Sequence, residues 1–180
     1  QRQMCKETDI NALIKHTIET FEGTCKKKKI QFQLTFSAEK ELVSADKVKI
    51  GQVIYNLVDN SIKFSSENSN IFISVKEKGE KAYISVKDSG AGISKENIDR
   101  IWDRFYKSDS SRGRDKKGSG LGLSIVKETL LAHNENIDVI STVGVGTEFI
   151  FSLPISKSAE KLKNSLKQQK AVKISRGCDN

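Results

Sequence analysis

Residues 56–65 of the chain read Asn-Leu-Val-Asp-Asn-Ser-Ile-Lys-Phe-Ser. Apolar residues in and before this stretch recur at the spacing of a helix that packs on a core, namely Ile50, Val53, Ile54, Leu57 and Phe64. At the same period, Asn56, Asn60 and Lys63 share one stripe. Amide oxygens can bind a hard cation such as magnesium, and an ammonium group can meet a phosphate that the cation bridges. A solvated polar face explains the stripe equally well, so this stretch alone leaves both readings open.

The composition is that of an ordinary globular domain. The 180 residues are 36% hydrophobic and 30% charged, and this length predicts one compact domain with its own core. No apolar run approaches the roughly 20 residues that span a bilayer, and no signal peptide is visible. The chain begins with Gln1 and has its methionine at Met4, so we expect a piece of a longer protein. We also expect a cytoplasmic location. The sequence leaves open whether that parent protein is anchored in a membrane.

The net charge of +8 is concentrated at the C-terminus. Residues 157–180 have a net charge of +5, which leaves +3 for the other 156 residues. No aromatic stacking platform accompanies the lysines, so a solvated tail explains them better than a nucleic-acid-binding module, and no nucleic-acid partner is expected. Cys5, Cys25 and Cys178 are odd in number and far apart, which predicts reduced thiols rather than disulfides or a zinc site.

Hydrophobic periodicity and turn residues predict alternating helices and strands. Asp9 or Asn11 caps a first helix, and Asp46 caps the helix that contains residues 56–65. Gly79-Glu80 joins two alternating segments into a hairpin. The expected elements are, in chain order, a helix over about 9–29, a strand over 30–36, a helix over 46–64, strands over 70–78 and 81–88, a polar loop over 107–119, a helix after 122 with Ile125, Val126, Leu130 and Leu131 on its buried side, and strands near 137–141 and 147–153, with Pro154 at the end of the fold.

Two glycine clusters stand next to predicted elements, one after a strand and one before a helix. Asp88 ends a buried strand just before Gly90 and Gly92. Its carboxylate is a fixed acceptor for an amino group, and the glycines would let a flat ring approach the backbone. The second cluster, within residues 118–122, precedes a helix N-terminus, where backbone N–H groups and the helix dipole favour phosphate. Either cluster alone is also ordinary turn chemistry, and the second lacks the Gly-Lys-Ser/Thr ending of a Walker loop.

Taken in order, four segments resemble the N, G1, F and G2 boxes of sensor histidine kinases. They are the polar helix ending Asn60-Ser-Ile-Lys-Phe-Ser65, then Asp88-Ser-Gly-Ala-Gly92, Trp102-Asp-Arg-Phe-Tyr106 and Gly118-Ser-Gly-Leu-Gly-Leu123. This family belongs to the GHKL superfamily, and the resemblance runs from about Asp9 to Pro154. It implies an α+β fold of the Bergerat type, a two-layer α/β sandwich with helices packed on one face of a mixed β-sheet.

The resemblance also implies a division of the chain. Residues 9–155 would form the ATP-binding catalytic domain. Residues 1–8 would be a remnant of upstream dimerisation and phosphoacceptor helices. Residues 156–180 would be a basic tail, which we expect to be disordered because it contains few large apolar residues.

The resemblance assigns roles around magnesium and ATP. Asn60 would bind magnesium with help from Asn56, and Lys63 would contact the phosphates. Asp88 would accept a hydrogen bond from the adenine amino group, and Phe64 would pack near the base. The floor of the adenine site would consist of Gly90, Gly92 and Ile93. Residues 107–117 would form a lid, with cations that can reach the nucleotide at Lys107, Arg112 and Arg114. Backbone amides for the phosphates would come from Gly118, Gly120, Leu121 and Gly122.

Four residues depart from the usual pattern of that family. Ser61 stands where Ala is usual, Trp102 where Phe is usual, and Ser119 where Thr is common. Lys107 replaces an Arg and so exchanges a planar fork for a point charge. This exchange can weaken contact with the γ-phosphate but leaves adenine recognition untouched.

The two histidines lack the flanks of a phosphoacceptor in this family. His16 has no neighbouring acid and no following Arg-Thr-Pro, and His133 is expected to satisfy a terminal carbonyl of its helix. The acceptor is therefore expected on a dimerisation domain of the same parent protein, outside this chain. The resemblance implies a protein-histidine kinase of a two-component system that works as a homodimer with a downstream response regulator. The chain alone is not expected to autophosphorylate.

Two alternatives keep ATP binding but change the function. ATP-hydrolysing members of the superfamily, such as the gyrase B subunit and the heat-shock chaperone, carry a Glu one helical turn before the metal-binding Asn, where it activates water. Here that position is Asn56, an amide that cannot take a proton, which disfavours hydrolysis. The other alternative is a non-catalytic ATP-binding module.

Overall fold

The predicted alternation of helices and strands is present in a computed structural model, which describes residues 6–107 and 119–159. Within these residues, no helix is long and apolar enough to cross a membrane. The elements are, in chain order, β1 (Lys6–Asp9), α1 (Ile10–Glu19), α2 (Glu22–Lys28), β2 (Gln31–Phe36), β3 (Leu42–Ala45), α3 (Lys47–Phe64), β4 (Asn70–Lys78), β5 (Lys81–Lys87), a 3-10 helix (Arg100–Trp102), α4 (Gly122–Ala132), β6 (Ile137–Thr142) and β7 (Gly146–Pro154).

Five strands form one mixed sheet in the order β2-β4-β5-β7-β6. β2 runs parallel to β4, and the other neighbours are antiparallel. Because side chains alternate between the two faces of a strand, Ile73 and Ile84 are fully buried, whereas Phe72 and Tyr83 are 45% and 38% exposed. The helices cover the buried face of the sheet. The predicted fold class, a two-layer α+β sandwich with helices on one face of a mixed sheet, is confirmed.

α3 forms where the sequence predicts it. Asp46 is its N-cap, and the carboxylate of Asp46 accepts hydrogen bonds from the N–H groups of Val48 and Lys49 at 2.9 and 3.1 Å. The apolar stripe packs into the core, with no exposure above 3% at Ile50, Val53, Ile54, Leu57, Val58 and Ile62. Burial of the stripe fixes the rotation of α3 about its own axis. The side chains of the polar residues between these positions therefore point in fixed directions.

A second, two-stranded sheet lies at the start of the described chain. β1 pairs antiparallel with β3, from Lys6 opposite Ala45 to Asp9 opposite Leu42. No pattern in the sequence predicts β3, which is only four residues long. The pairing also corrects the expectation that residues 6–8 are part of a helical remnant, because they form a strand of this fold. Residues 1–5 lie outside the described residues.

The first predicted helix is two helices. Asp9 caps α1 as predicted, and its carboxylate accepts hydrogen bonds from two N–H groups of the first turn at 3.1 and 3.3 Å. The helix ends at Glu19, however, and α2 starts again at Glu22. Phe21 lies at the junction, is 6% exposed, and packs its ring 4.8 Å from that of Tyr55 on α3. We attribute the break to this tertiary contact, since local helix propensity does not predict it.

The fold continues past Pro154. Ile155 is 6% exposed and forms a β-bridge with Val43, and the N–H of Ser156 donates to the carbonyl of Leu42 at 2.8 Å. These contacts join the small sheet to the end of β7. Residues 156–159 therefore belong to the folded part of the chain, which corrects the predicted start of the tail. Residues 160–180 lie outside the described residues.

α4 buries a narrower stripe than predicted. Val126 and Leu130 are fully buried, as expected. Ile125 and Leu131 are 40% and 54% exposed, so their predicted burial is wrong. The buried positions include the small polar residue Ser124, which a pattern of large apolar residues does not reveal.

Candidate functional site

A cavity of about 740 Å3 opens beside α3, the turn after β5 and the start of α4. The predicted site residues that line it are Asn56, Asn60, Lys63, Phe64, Asp88, Gly92, Ile93, Lys107, Gly120 and Gly122. Gly90 and Leu121 are not among the lining residues. The predicted roles of Arg112, Arg114 and Gly118 fall outside the described residues.

The lining also contains residues that the sequence analysis did not single out. Asp59 stands directly before Asn60, and its helical spacing to Lys63 could have placed it on the same wall. Val143 and Phe149 come from the β6–β7 region, far along the chain. Only the tertiary structure brings such residues to the cavity, because no local pattern connects them with α3.

Asp88 presents a buried carboxylate to the cavity. It is 4% exposed, and its Oδ1 accepts hydrogen bonds from the backbone N–H groups of Gly90 at 2.9 Å and Thr147 at 3.2 Å. Burial raises the pKa of the Asp88 carboxyl above its ordinary value, while these two bonds and the Ser61 hydroxyl lower it. Both backbone bonds end on Oδ1, so Oδ2 keeps acceptor capacity for a ligand.

Gly90 and Gly92 allow close backbone packing around Asp88. A Cβ on Gly90 would overlap the carbonyl oxygen of Phe64. A Cβ on Gly92, which has a φ of 69°, would overlap the carbonyl of Thr142. The glycines therefore let the turn after β5 rest directly on the end of α3 and on the end of β6. A role in admitting a flat ring stays a prediction.

Asn56 ties α3 to the start of α4. Its Nδ2 donates to the carbonyl of Gly122 at 3.2 Å, and its Oδ1 accepts from Nε2 of Gln52 at 3.0 Å. A Cβ on Gly122 would lie 3.8 Å from Cγ of Asn56, in ordinary contact. Asn60 lines the cavity one helical turn further on. The two amides thus share a wall, and Asn56 also positions the N-terminus of α4.

Charged side chains hold the last turn of α3. Lys63 Nζ lies 2.7 Å from Oδ2 of Asp59, with both side chains about one-third exposed, at 34% and 31%. Nζ of Lys28, on α2, donates to the carbonyl of Ile62 at 2.7 Å. A cation at a helix C-terminus satisfies a terminal carbonyl and opposes the negative end of the dipole. α2 therefore stabilises the helix end that carries Lys63.

Hydrogen bonds anchor the chain on both sides of residues 108–118. The N–H of Phe105 donates to the carbonyl of Gly120 at 3.0 Å. The Tyr106 hydroxyl donates to Oδ1 of Asn97 at 2.6 Å, and both of these residues line the cavity. The ion pair of Arg104 with Glu128, at 2.6 Å, ties the same segment to α4.

The two histidines have structural surroundings. His133 Nδ1 donates to the carbonyl of Thr129 at 2.8 Å, and Nε2 accepts from the N–H of Asp46 at 3.2 Å. This pattern suits a neutral imidazole with its proton on Nδ1, and it confirms the predicted contact with a terminal carbonyl. It also links the end of α4 to the cap of α3. His16 has a side chain that is 79% exposed and lies 3.5 Å from Glu19.

A comparison with known families agrees with this geometry. Residues 45–157 match the family described as histidine kinase-, DNA gyrase B- and HSP90-like ATPase. This span includes every described residue that lines the cavity. The chain belongs to this ATPase family. The resemblance to histidine kinases of the GHKL superfamily is thereby confirmed.

Individual relatives of this chain are sensor proteins. The sensor protein RprX of Bacteroides fragilis is 36% identical over 155 residues, which are 85% of this chain and 30% of RprX. The sensor histidine kinase WalK of Bacillus subtilis is 39% identical over 145 residues, 79% of this chain and 24% of WalK. The chain therefore spans less than a third of the length of these relatives.

Solved structures share the fold. The catalytic domain of histidine kinase ThkA superposes with a TM-score of 0.74 at 32% identity, covering 83% of this chain and 95% of that domain. A complex of ThkA with the response regulator TrrA gives a TM-score of 0.71 at 30% identity, covering 84% of this chain and 42% of that chain. The matched part of ThkA is thus almost a whole catalytic domain.

ATP binding follows from membership of this ATPase family, and the donor set in the cavity fits magnesium. The amide of Asn60 offers a neutral oxygen, which is a ligand type that magnesium accepts. Among the described residues, no group of three His, Cys, Asp or Glu side chains could hold a metal ion. Magnesium keeps several waters and is commonly shared with substrate phosphates. The wall with Asn60 therefore fits magnesium that arrives together with a nucleotide.

Proposed function

We propose that this chain is the catalytic domain of a sensor histidine kinase, which binds magnesium-ATP and donates the γ-phosphate to a histidine on a separate dimerisation and phosphoacceptor domain. One observation carries the proposal. A single cavity brings the buried carboxylate of Asp88 together with Asn60 and Lys63 of α3 and with the N-terminal end of α4. A carboxylate, a cation-binding amide, an ammonium group and a helix N-terminus are the groups that bind the two ends of a nucleotide.

Each part of the cavity then has a task. Asp88 accepts a hydrogen bond from the adenine amino group beside Gly92 and Ile93. Asn60 holds magnesium, which neutralises phosphate charge during transfer. Lys63 and the backbone N–H groups at Gly120 and Gly122 position the phosphates. Phosphoryl transfer proceeds through a loose transition state, so positioning and charge stabilisation supply most of the catalysis.

Among the described residues of the cavity, the side chain at position 56 points to transfer rather than hydrolysis. Asn56 occupies the position of the water-activating Glu, and both ends of its amide are engaged by Gln52 and Gly122. An amide cannot act as a general base. The acceptor histidine and the base that activates it therefore belong to another domain of the parent protein.

The relatives supply the partners of the proposal. ThkA has been solved in complex with a response regulator, and WalK is a sensor histidine kinase. We propose that the parent protein of this chain is likewise a homodimeric sensor whose phosphohistidine passes its phosphoryl group to a response regulator.

Transfer of label from γ-labelled ATP tests the function. The chain is mixed with a separately expressed helical domain that contains the acceptor histidine of its parent protein. Acid-labile label should appear on that domain, and Asn60→Ala should lower the labelling by about tenfold or more, because magnesium-ATP is no longer held. Asn70→Ala, at an exposed position that begins β4, is the matched control and should label like the wild type. A wild-type chain that binds ATP but leaves the supplied histidine unlabelled would contradict the proposal.

A further inference from the structure

Asp59 is an acidic residue in the wall of the cavity to which neither the resemblance nor the proposed function assigns a role. It lies on α3 next to Asn60 and is among the residues that line the cavity. Its Oδ2 lies 2.7 Å from Nζ of Lys63, one helical turn further on. The proposed phosphate-binding lysine is therefore already paired with a carboxylate of the same helix.

This ion pair is easily exchanged. Both side chains are about one-third exposed, at 31% for Asp59 and 34% for Lys63. Ion pairs that water can reach contribute little to stability, whereas a triphosphate offers Lys63 several negative oxygens. When Lys63 turns to a phosphate, the Asp59 carboxylate loses the cation with which it is paired here and is left facing the same negative group.

The charges of the described lining are balanced before a ligand arrives. They consist of two carboxylates, Asp59 and Asp88, and two ammonium groups, Lys63 and Lys107. Asp88 is 4% exposed and has two backbone donors on Oδ1, which stabilise part of its charge locally. Asp59 is the described carboxylate on the wall that carries Asn60. The negative charge of Asp59 repels a metal-free triphosphate, and a divalent cation at Asn60 offsets this repulsion.

We infer that Asp59 makes the site selective for metal-bound over metal-free nucleotide. The inference rests on the proposed function, since it requires the phosphates to lie along α3. Asp59 exchanges its partner from Lys63 to the divalent cation, and Lys63 exchanges its partner from Asp59 to a phosphate. Without the cation, Lys63 still gains a phosphate, but Asp59 loses Lys63 and gains no cation in return. Metal-free nucleotide therefore binds weakly.

The experiment compares the dissociation constant of a fluorescent ATP analogue in magnesium with that in excess chelator. The ratio of the two constants measures metal dependence. In Asp59→Asn the shape is kept and the charge removed, so metal-free binding should tighten and the ratio should fall by about tenfold, which corresponds to about 1.4 kcal/mol. Asp138→Asn changes the net charge equally at an exposed position of β6. It should keep the wild-type ratio.

The outcomes separate the inference from the function on which it rests. A ratio in Asp59→Asn within twofold of the wild type overturns the inference. It is also overturned if Asp59→Asn weakens binding in magnesium and leaves metal-free binding unchanged, because Asp59 would then strengthen binding of the metal complex without acting against metal-free nucleotide. A wild-type chain that binds the analogue in neither condition removes the proposed function itself. Unfolding temperatures without ligand confirm that both variants are folded.

Discussion

At the scale of single residues, Asp88 uses one of its two carboxylate oxygens for two hydrogen bonds to the backbone of the fold. Oδ1 accepts the N–H groups of Gly90 and Thr147 and so holds the turn after β5 against the start of β7. Oδ2 accepts neither of these bonds, and Asp88 is among the residues that line the cavity. Burial raises the pKa of this carboxyl, so the residue adopts its charged form at a cost in folding free energy that a bound hydrogen-bond donor can offset.

Asp88→Asn separates these two roles. The amide oxygen can keep both backbone bonds, while an NH2 group replaces the acceptor that faces the ligand. Loss of one charge-assisted hydrogen bond should weaken nucleotide binding by about 1.5–3 kcal/mol. Titration of a fluorescent ATP analogue measures this, with the midpoint of thermal unfolding as a check of the fold. Unchanged affinity in a folded variant would remove Asp88 from the site.

The raised pKa of Asp88 also predicts how stability depends on pH. The folded chain binds the proton of Asp88 more tightly than the unfolded chain, in which the pKa takes its ordinary value of 3.8. The protonated form of Asp88 therefore contributes to the free energy of unfolding. This contribution is fully present below pH 3.8 and is lost as the pH rises through the pKa of the folded chain. Urea unfolding of the wild type and of Asp88→Asn should be measured at a series of pH values across this window. As the pH rises, the free energy of unfolding of the wild type should fall relative to that of the variant. Parallel curves would show that the pKa is not raised.

At the scale of elements, caps, apolar stripes and turn residues predict those helices and hairpins that local interactions determine. Asp46 and the apolar stripe define α3, and Gly79-Glu80 defines the hairpin, so both could be located from the sequence. β3 could not, because its four residues have no clear alternation and are held by β1 and by Ile155. The break before α2 depends on the contact of Phe21 with Tyr55, which no helical pattern contains.

The candidate site shows the same division. Asn60, Lys63 and Asp88 stand in motifs, and the structure places them around one cavity. Thr147 and Phe149 reach that cavity only because β7 lies next to β5 in the sheet. The expected role of Gly90 illustrates the limit of a motif, since this residue packs against Phe64 rather than lining the cavity.

The glycine turn after β5 provides a test at this scale, with a control in the same chain. Gly92 and Gly79 have nearly equal φ values of 69° and 64°. A Cβ on Gly92 would overlap the Thr142 carbonyl, whereas nothing lies within 4 Å of a Cβ on Gly79. Both Ala variants should lose roughly 1–2 kcal/mol to backbone strain. Gly92→Ala should lose about 1–3 kcal/mol more, because the backbone of Thr142 must move.

Urea unfolding of both variants measures the difference. If Gly92→Ala and Gly79→Ala lose the same free energy of unfolding, the turn after β5 does not rest on β6 in the way described. Nucleotide titration of Gly92→Ala adds a second measurement, since the same movement would displace Asp88 and weaken binding.

At the scale of the whole molecule, no histidine is among the described residues that line the cavity proposed for the nucleotide. Asn56 replaces a general base and is bonded to Gln52 and Gly122. His133 is committed to contacts with Thr129 and Asp46, which link α4 to α3. On the proposed function, transfer requires a partner domain that carries the acceptor histidine, so each domain should be inactive when it is apart from the other.

We accordingly predict that the chain binds ATP but neither phosphorylates itself nor hydrolyses ATP at an appreciable rate. Incubated with γ-labelled ATP, it should take up little acid-labile phosphate and release inorganic phosphate only slowly. The reason is that water lacks a base at position 56 and His16, although exposed, lies beside Glu19 on α1 rather than in the cavity. His16→Ala should therefore behave like the wild type. Two results would contradict this division of labour. Stoichiometric label that is lost in His16→Ala would make the chain its own substrate, and rapid hydrolysis that is lost in Asn60→Ala would make it an ATPase.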